Sequence, residues 1–173
     1  FPTRRSSDLT EAAAKLTGVF EKFVPKEFMN RIAPEGLENL IFGHAESDFV
    51  TILFSDIRAF TEISENLSPQ ELMDFLNGYL REMNPPIMEH QGFVDKFIGD
   101  AIMAVFDQPD KTNADEAENA LDAALGMQKV LVQLNEKRKK LKLDPVSIGI
   151  GIHSGNVIIG TVGFEERMDS TVL

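Results

Sequence analysis

The sequence predicts an α+β fold: a ferredoxin-like (βαββαβ) antiparallel sheet with helices packed on one face. Three observations carry that expectation. Strand-length apolar runs alternate with segments of helical period in the order β-α-β-β-α-β-β, which one sheet with its helices on one side closes most simply. A capping box with proline at the first helical position opens the first long helix. A glycine-containing turn divides the central apolar run into the two halves of a hairpin. At 173 residues, 43% hydrophobic and 26% charged, the chain can bury a sizeable core as one domain.

The elements follow in chain order. Residues 1–9 (FPTRRSSDL) look like translated sequencing-adapter read-through and are set aside as non-native. Residues 10–47 read as a helical linker, two short pieces broken at Pro25 and Pro34, with Leu16, Val19, Phe20 and Phe23 forming one apolar stripe. Phe49 to Ile57 is a β-branched and aromatic strand ending in a polar turn at Ser55 and Asp56. Ser68, Pro69 and Glu71 then open a helix with an apolar face of Leu72, Phe75, Leu76, Tyr79, Leu80 and Met83. Pro85 and Pro86 are expected to kink or end it, with Gly92 as the stop. Phe93 to Phe106 is the hairpin, its tip at Asp100 beside Gly99.

Asp107 to Ala114 reads as a polar loop. Ala117, Ala120, Leu121, Ala124, Leu125 and Leu131 to Leu134 carry a second long helix, whose basic end (Lys137 to Lys140, Lys142) complements the helix dipole. Val146 to His153 and Asn156 to Val162 read as two further strands joined at Ser154-Gly155. No internal repeat or low-complexity tract is present.

Charge and composition exclude several functions. Seventeen Lys and Arg stand against 28 Asp and Glu, a net charge of −11, which opposes nucleic-acid binding driven by phosphate neutralisation. The absence of cysteine removes disulfides, thiolate metal sites and cysteine nucleophiles, in keeping with a reducing cytoplasm. No apolar run approaches the roughly 18 residues of a membrane span. The chain begins with Phe, so a fragment of a longer protein is expected.

The residues with chemistry cluster at strand ends. Asp56 ends one strand and Asp100 sits on a hairpin tip, positions that a β-α-β-β unit can make neighbours. Converging carboxylates repel unless a cation bridges them, and hard oxygen ligands suit magnesium or manganese. Backbone amides of Ile57 to Thr61 (IRAFT), ahead of a helix start, could form an anion-binding nest. Gly149, Gly151, Gly155, Gly160 and Gly163 do not match a dinucleotide fingerprint, and no GxxxxGK is present. Gly149 and Gly151 share one strand face, either for close packing or as an open substrate wall. His153 has no partner at metal-ligand spacing and reads as structural.

Four motifs in order, FSDIRAFTEIS (54–64), GFVDKFIGDAIMAVF (92–106), IGIGIHSGNVIIGTVG (148–163) and RMDSTV (167–172), resemble the catalytic domain of class III nucleotidyl cyclases. The upstream FVPKEFMNRIA (23–33) is similar to the linker that precedes this domain in bacterial sensor-type members. The resemblance assigns residues 48–173 to a cyclase catalytic domain, incomplete at its C-terminus. It implies conversion of ATP to 3′,5′-cyclic AMP and pyrophosphate with two divalent cations, Mg2+ or Mn2+, in a head-to-tail homodimer with shared active sites. An upstream sensor or membrane domain is possible in the parent chain.

By the same resemblance, Asp56 and Asp100 match the catalytic, metal-binding aspartates and the Ile57 carbonyl a backbone metal ligand. Phe60 and Thr61 fall in the phosphate-holding turn, and Lys96 and Thr171 match the base-selecting pair. A lysine only donates, which suits the unprotonated ring nitrogen of adenine. Ala59 stands where many members carry glycine, and Ser170 where tyrosine or glycine is common. The chain stops before the segment that in the family supplies an asparagine and an arginine for the transition state, so the chain alone is expected to be inactive. Two other readings stay open, a degenerate domain serving as a regulatory dimerisation module and a guanylate cyclase. A diguanylate cyclase would need a GG(D/E)EF hairpin, where this chain has FIGDA.

Overall fold

The computed structural model describes residues 15–18, 29, 45–108, 110–164 and 167–173. Its elements are β1 (Ala45–Ile57), α1 (Phe60–Glu65), α2 (Pro69–Glu89), β2 (Gly92–Ile98), β3 (Ala101–Phe106), α3 (Asn113–Lys140), β4 (Ile148–Phe164) and β5 (Arg167–Val172). One sheet has the hydrogen-bonded order β2-β3-β1-β4-β5. Its first four strands follow the expected βαββαβ plan, with β5 added at the edge. The described residues divide into two compact units, Ser47–Val157 and a smaller one that includes Ile158–Leu173. β4 contributes to both.

In the larger unit, strand alternation sorts β1 between two faces. Thr51, Leu53, Ser55 and Ile57 are buried, whereas Phe54 and Asp56 are exposed. Leu53 and Ile57 join Ile102, Ala104 and Phe106 of β3 in one core with Tyr79, Met83 and Ile87 of α2 and Ala120, Ala123, Met127 and Leu131 of α3. Each large side chain buried there stabilises the fold by about 1.5–3 kcal/mol. β1 and β3 pair antiparallel, Thr51 opposite Phe106 and Ser55 opposite Ile102. β2 and β3 form the expected hairpin, with Gly99 at φ 64° in its turn.

Both long helices begin at capping boxes. Ser68 Oγ accepts from the Glu71 amide while the Glu71 carboxylate accepts from the Ser68 amide, and Thr112 and Asp115 repeat the arrangement. The hydrogen bond from the Ser68 side chain, then that from its backbone, holds the Glu71 carboxyl below its ordinary pKa. The second box was missed in the sequence because aspartate replaces the usual Glu or Gln, and it starts α3 at Asn113, inside the expected loop.

Three expectations are corrected. α2 runs through Pro85 and Pro86 to Glu89. Pro86 and Ile87 are buried, and the Pro86 ring lies 3.0 Å from where a Cβ would stand at Gly126 of α3, so packing on a side-chain-free patch holds the helical path despite two missing N–H donors. Ser154-Gly155 is not a turn. β4 is continuous across it, neither residue has positive φ, and Ser154 Oγ bonds Thr51 Oγ1 of β1 at 2.7 Å. β1 begins at Ala45, ahead of Phe49. In the smaller unit, β4 and β5 pair antiparallel from Ile159 opposite Val172 to Phe164 opposite Arg167. Of the linker, residues 15–18 and 29 are helical; Val19, Phe20, Phe23, Pro25 and Pro34 lie outside the described residues.

Candidate active site

The β1–β3 pairing ends with Ser55 opposite Ile102, just short of the hairpin turn at Asp100. There the ladder ends on a side chain, with the Ile57 N–H donating to Asp100 Oδ2 at 2.9 Å. That bond fixes the Asp100 carboxylate beside the end of β1, one residue from Asp56. The structure thus places Asp100 against Ile57, with Asp56 the residue before it. Asp56 is exposed, on the β1 face opposite the buried Ser55 and Ile57, and Asp100 is half-buried.

Beneath the carboxylates lies a group that sequence reading took only as core. Tyr79 is buried, with its hydroxyl 3.4 Å from Ser55 Oγ. Burial pushes its phenol above the ordinary tyrosine value, and the negative charges of Asp100 and Asp56 push the same way, against the Ser55 hydrogen bond. A periodicity argument sees Tyr79 as one more apolar position. Only the neighbouring strand's polar Ser55, facing inward, hints at a partner.

The chain after Asp56 is held on both sides. Arg58 N–H donates to Ser147 O at 2.8 Å. Ala59 takes the left-handed conformation, φ 55° and ψ 33°, turning the backbone into α1 without a side-chain cap. Phe60, half-buried, packs against the core, while Thr61 is exposed. The proposed amide nest is thus narrower than IRAFT, because the Ile57 and Arg58 amides are engaged; the first-turn amides of Phe60 and Thr61 remain the candidates for an anion.

Lys96 sits on β2 just past a register shift between Val94 and Lys96, where Asp95 is the extra residue of a bulge. The buried Asp95 carboxylate stands 3.4 Å from the Lys96 ammonium. Bulges are not legible from the alternation of FVDKFI, so Asp95 escaped the sequence reading. Thr171 lies on β5 of the smaller unit, half-buried and opposite Gly160.

Gly149 answers the packing question raised by the sequence, since side chains of Asp56 and Arg58 occupy the space its Cβ would take, whereas Gly151 faces open space. With Ile52, Phe54, Ile152 and His153, Gly151 lines a shallow apolar depression. Among the described residues no group of three or more His, Cys, Asp or Glu could hold a metal. Asp56 and Asp100 alone suit a hard cation that completes its shell with water and phosphate, as Mg2+ does; they do not suit one that needs a full protein cage.

Residues 42–170 match the family model of the adenylate and guanylate cyclase catalytic domain. The chain belongs to this family. An adenylate cyclase of Anabaena cylindrica is 48% identical over 158 residues, covering 89% of this chain and 30% of that protein. The adenylyl cyclase CyaB of P. aeruginosa shares the fold at TM-score 0.69 and 35% identity, over 75% of this chain and 67% of that one. The guanylyl cyclase Cya2 does so at TM-score 0.67 and 37% identity, over 75% and 65%. This cyclase domain thus spans under a third of the length of its Anabaena relative. No helix among its described residues is long and apolar enough to cross a membrane.

Proposed function

We propose that this cyclase domain converts ATP to 3′,5′-cyclic AMP and pyrophosphate in the cytoplasm, as a head-to-tail homodimer. The observation that carries the reading is the Ile57 N–H to Asp100 Oδ2 bond, which holds two carboxylates at one strand end. Asp56, Asp100 and the Ile57 carbonyl would hold two divalent cations, Mg2+ or Mn2+. When bound, such cations lower the pKa of the ribose 3′-hydroxyl and offset charge on the α-phosphate and the leaving pyrophosphate.

The protein's own groups do the rest. The 3′-oxygen bonds to the α-phosphorus in line with the bond to the β-phosphate oxygen, which breaks, and the hydroxyl proton passes to solvent. Phe60 and Thr61 amides take phosphate oxygens at the first turn of α1. Lys96 donates to the adenine ring nitrogen, and Thr171 accepts from the exocyclic amine. The buried Asp95 beside Lys96 supports a fixed, charged ammonium. The depression lined by Ile52, Phe54, Ile152 and His153 supports pairing with a second copy through the helix-free face.

The test is product chromatography after incubation with equal ATP and GTP and Mn2+. It is run on the chain and on a chimera in which the Anabaena relative continues it past Leu173. Cyclic AMP is the expected main product of the chimera. Cyclic GMP as main product would overturn the roles of Lys96 and Thr171 and favour the guanylyl reading, and no cyclic nucleotide at all would overturn catalysis.

A further inference from the structure

We propose that Asn135, in the last turns of α3, is a positioning residue for the metal site, one that aims the Ile57 carbonyl through two hydrogen-bonded steps. The inference rests on the reading of that carbonyl as a metal ligand. Asn135 is half-buried, and its side-chain amide takes the part of a neighbouring strand. Nδ2 donates to Val146 O at 2.8 Å, and Oδ1 accepts from the Val146 N–H at 2.8 Å. That exchange of two bonds is the one a paired residue makes in an antiparallel ladder, and a primary amide carries the donor and the acceptor it needs. Val146 is buried and lies just ahead of β4, so its backbone groups find in Asn135 the partners that water cannot supply.

The next residue carries the effect to the site. Ser147 O accepts from the Arg58 N–H at 2.8 Å. The Arg58 N–H and the Ile57 carbonyl belong to one planar peptide unit, whose trans geometry points them in opposite directions. With the N–H directed at Ser147, the carbonyl is turned away from it. The Ile57 N–H, one peptide earlier, donates to Asp100 Oδ2 at 2.9 Å. In a strand a residue's N–H and C=O leave on the same side, and Ile57 is the last residue of β1, so its carbonyl leaves on the Asp100 side. Two ties therefore set one carbonyl, Asp100 on one side and Ser147 on the other, and Asn135 holds the second. Without it the peptide between Ile57 and Arg58 can rotate, and a cation loses a ligand held in place.

Amide exchange and Mn2+ binding, both measured on the 173-residue chain, test this without turnover. Asn135→Ala is expected to speed exchange of the Arg58 amide at least about tenfold more than that of the Leu80 amide in the middle of α2, because the opening is local. It is expected to weaken Mn2+, read from the paramagnetic resonance of the free ion, about three- to tenfold, less than the loss of a partner bound directly to a ligand costs. Asn135→Asp keeps the acceptor for the Val146 N–H and loses the donor to its carbonyl, so it is expected to fall between Asn135→Ala and wild type. Val146→Ala thins the core at the same place but keeps both backbone bonds, and is expected to leave Mn2+ affinity within about twofold of wild type. Equal gains in exchange at Arg58 and Leu80, or a loss of Mn2+ in Val146→Ala that matches Asn135→Ala, would overturn the positioning role, since the effect would then be one of stability. So would unchanged Mn2+ affinity in Asn135→Ala. The underlying reading is checked apart, by the carbonyl-carbon resonance of Ile57, which is expected to shift as Mg2+ is added to the wild type. A resonance that stays in place while Mn2+ still binds would overturn the carbonyl as a ligand, and the role of Asn135 with it.

Discussion

The two faces of β1 are built to different ends by the same stretch of chain. Its odd-numbered residues, Leu53, Ser55 and Ile57, point under the helices and are sealed from solvent. Its even-numbered neighbours, Phe54 and Asp56, are exposed on the opposite face. The covered face gains its stability from packing, where each lost methylene leaves a void. The exposed face holds a carboxylate and apolar surface whose cost is tolerated because the other face carries the fold. A one-residue slip in β1 would exchange the two sets, so the core that fixes the register also aims Asp56.

The sharpest way to break the comparison is to change three sites of β1 in turn. Asp56→Ala is expected to lower turnover of the active chimera by at least about 10³-fold, yet leave thermal stability unchanged or slightly raised, since an exposed charge beside another carboxylate is removed. Phe54→Asp is expected to shift the sedimentation equilibrium toward monomer with little effect on the monomer's melting. Leu53→Ala is expected to cost about 3 kcal/mol in urea unfolding, the usual penalty for emptying a fully buried leucine site. If Asp56→Ala destabilised the protein as much as Leu53→Ala, the division between a structural and a functional face would fail.

The same division explains what could be read in the sequence. The covered face announces itself by period, so β1, α2, the hairpin and α3 were legible from Leu53, Tyr79, Phe106 and Ala120 and their neighbours. The approach of Asp100 to the end of β1 was legible too, because strand ends and hairpin turns lie at one edge of a βαββ unit. What escaped were features settled by partners distant in sequence. Pro85 and Pro86 break helices in isolation, but α2 runs on past them with Pro86 packed against Gly126 of α3. Ser154-Gly155 has turn composition, but a bond to Thr51 keeps it in the strand. Asp95 depends on a bulge, and the Tyr79 hydroxyl on an inward serine one strand away. The substrate-binding roles expected of Lys96 and Thr171 came from resemblance alone, since nothing in their spacing marks them.

A smaller effect sharpens the comparison at the hinge between the faces. Ala59 holds φ 55° where the chain leaves β1 for α1, a conformation that costs an L-residue about 1–2 kcal/mol. Ala59→Gly is expected to stabilise the domain by about 0.5–1 kcal/mol, after the extra freedom glycine gains in the unfolded chain is set against the relief. Urea unfolding measures it. A loss of stability would mean the alanine methyl packs against something worth more than the strain.

The smallest expected effect reads the bare face from beneath the covered one. Tyr79 is the sole tyrosine and the chain has no tryptophan, so the near-ultraviolet phenolate band titrates one group in one place. Burial first, then the charges of Asp100 and Asp56, raise its pKa in the folded protein. A raised folded value means that the native state holds the proton more tightly than the unfolded chain does. The stabilisation is therefore fully present below the ordinary tyrosine pKa near 10 and is lost as pH rises through the higher folded value. Alkaline unfolding should accordingly be delayed in Tyr79→Phe, which has no phenol to ionise. Asp56→Asn should bring the native titration down toward the ordinary value by a small step, and Asp100→Asn likewise, because each removes a negative charge that opposes the phenolate. Burial, the larger cause, should keep the remaining pKa raised even in the double variant. A native titration at or below that of free tyrosine, or one that the two Asn substitutions leave unmoved, would show that the carboxylates are electrically remote from the core and that the two faces of β1 do not communicate through Ser55 and Tyr79.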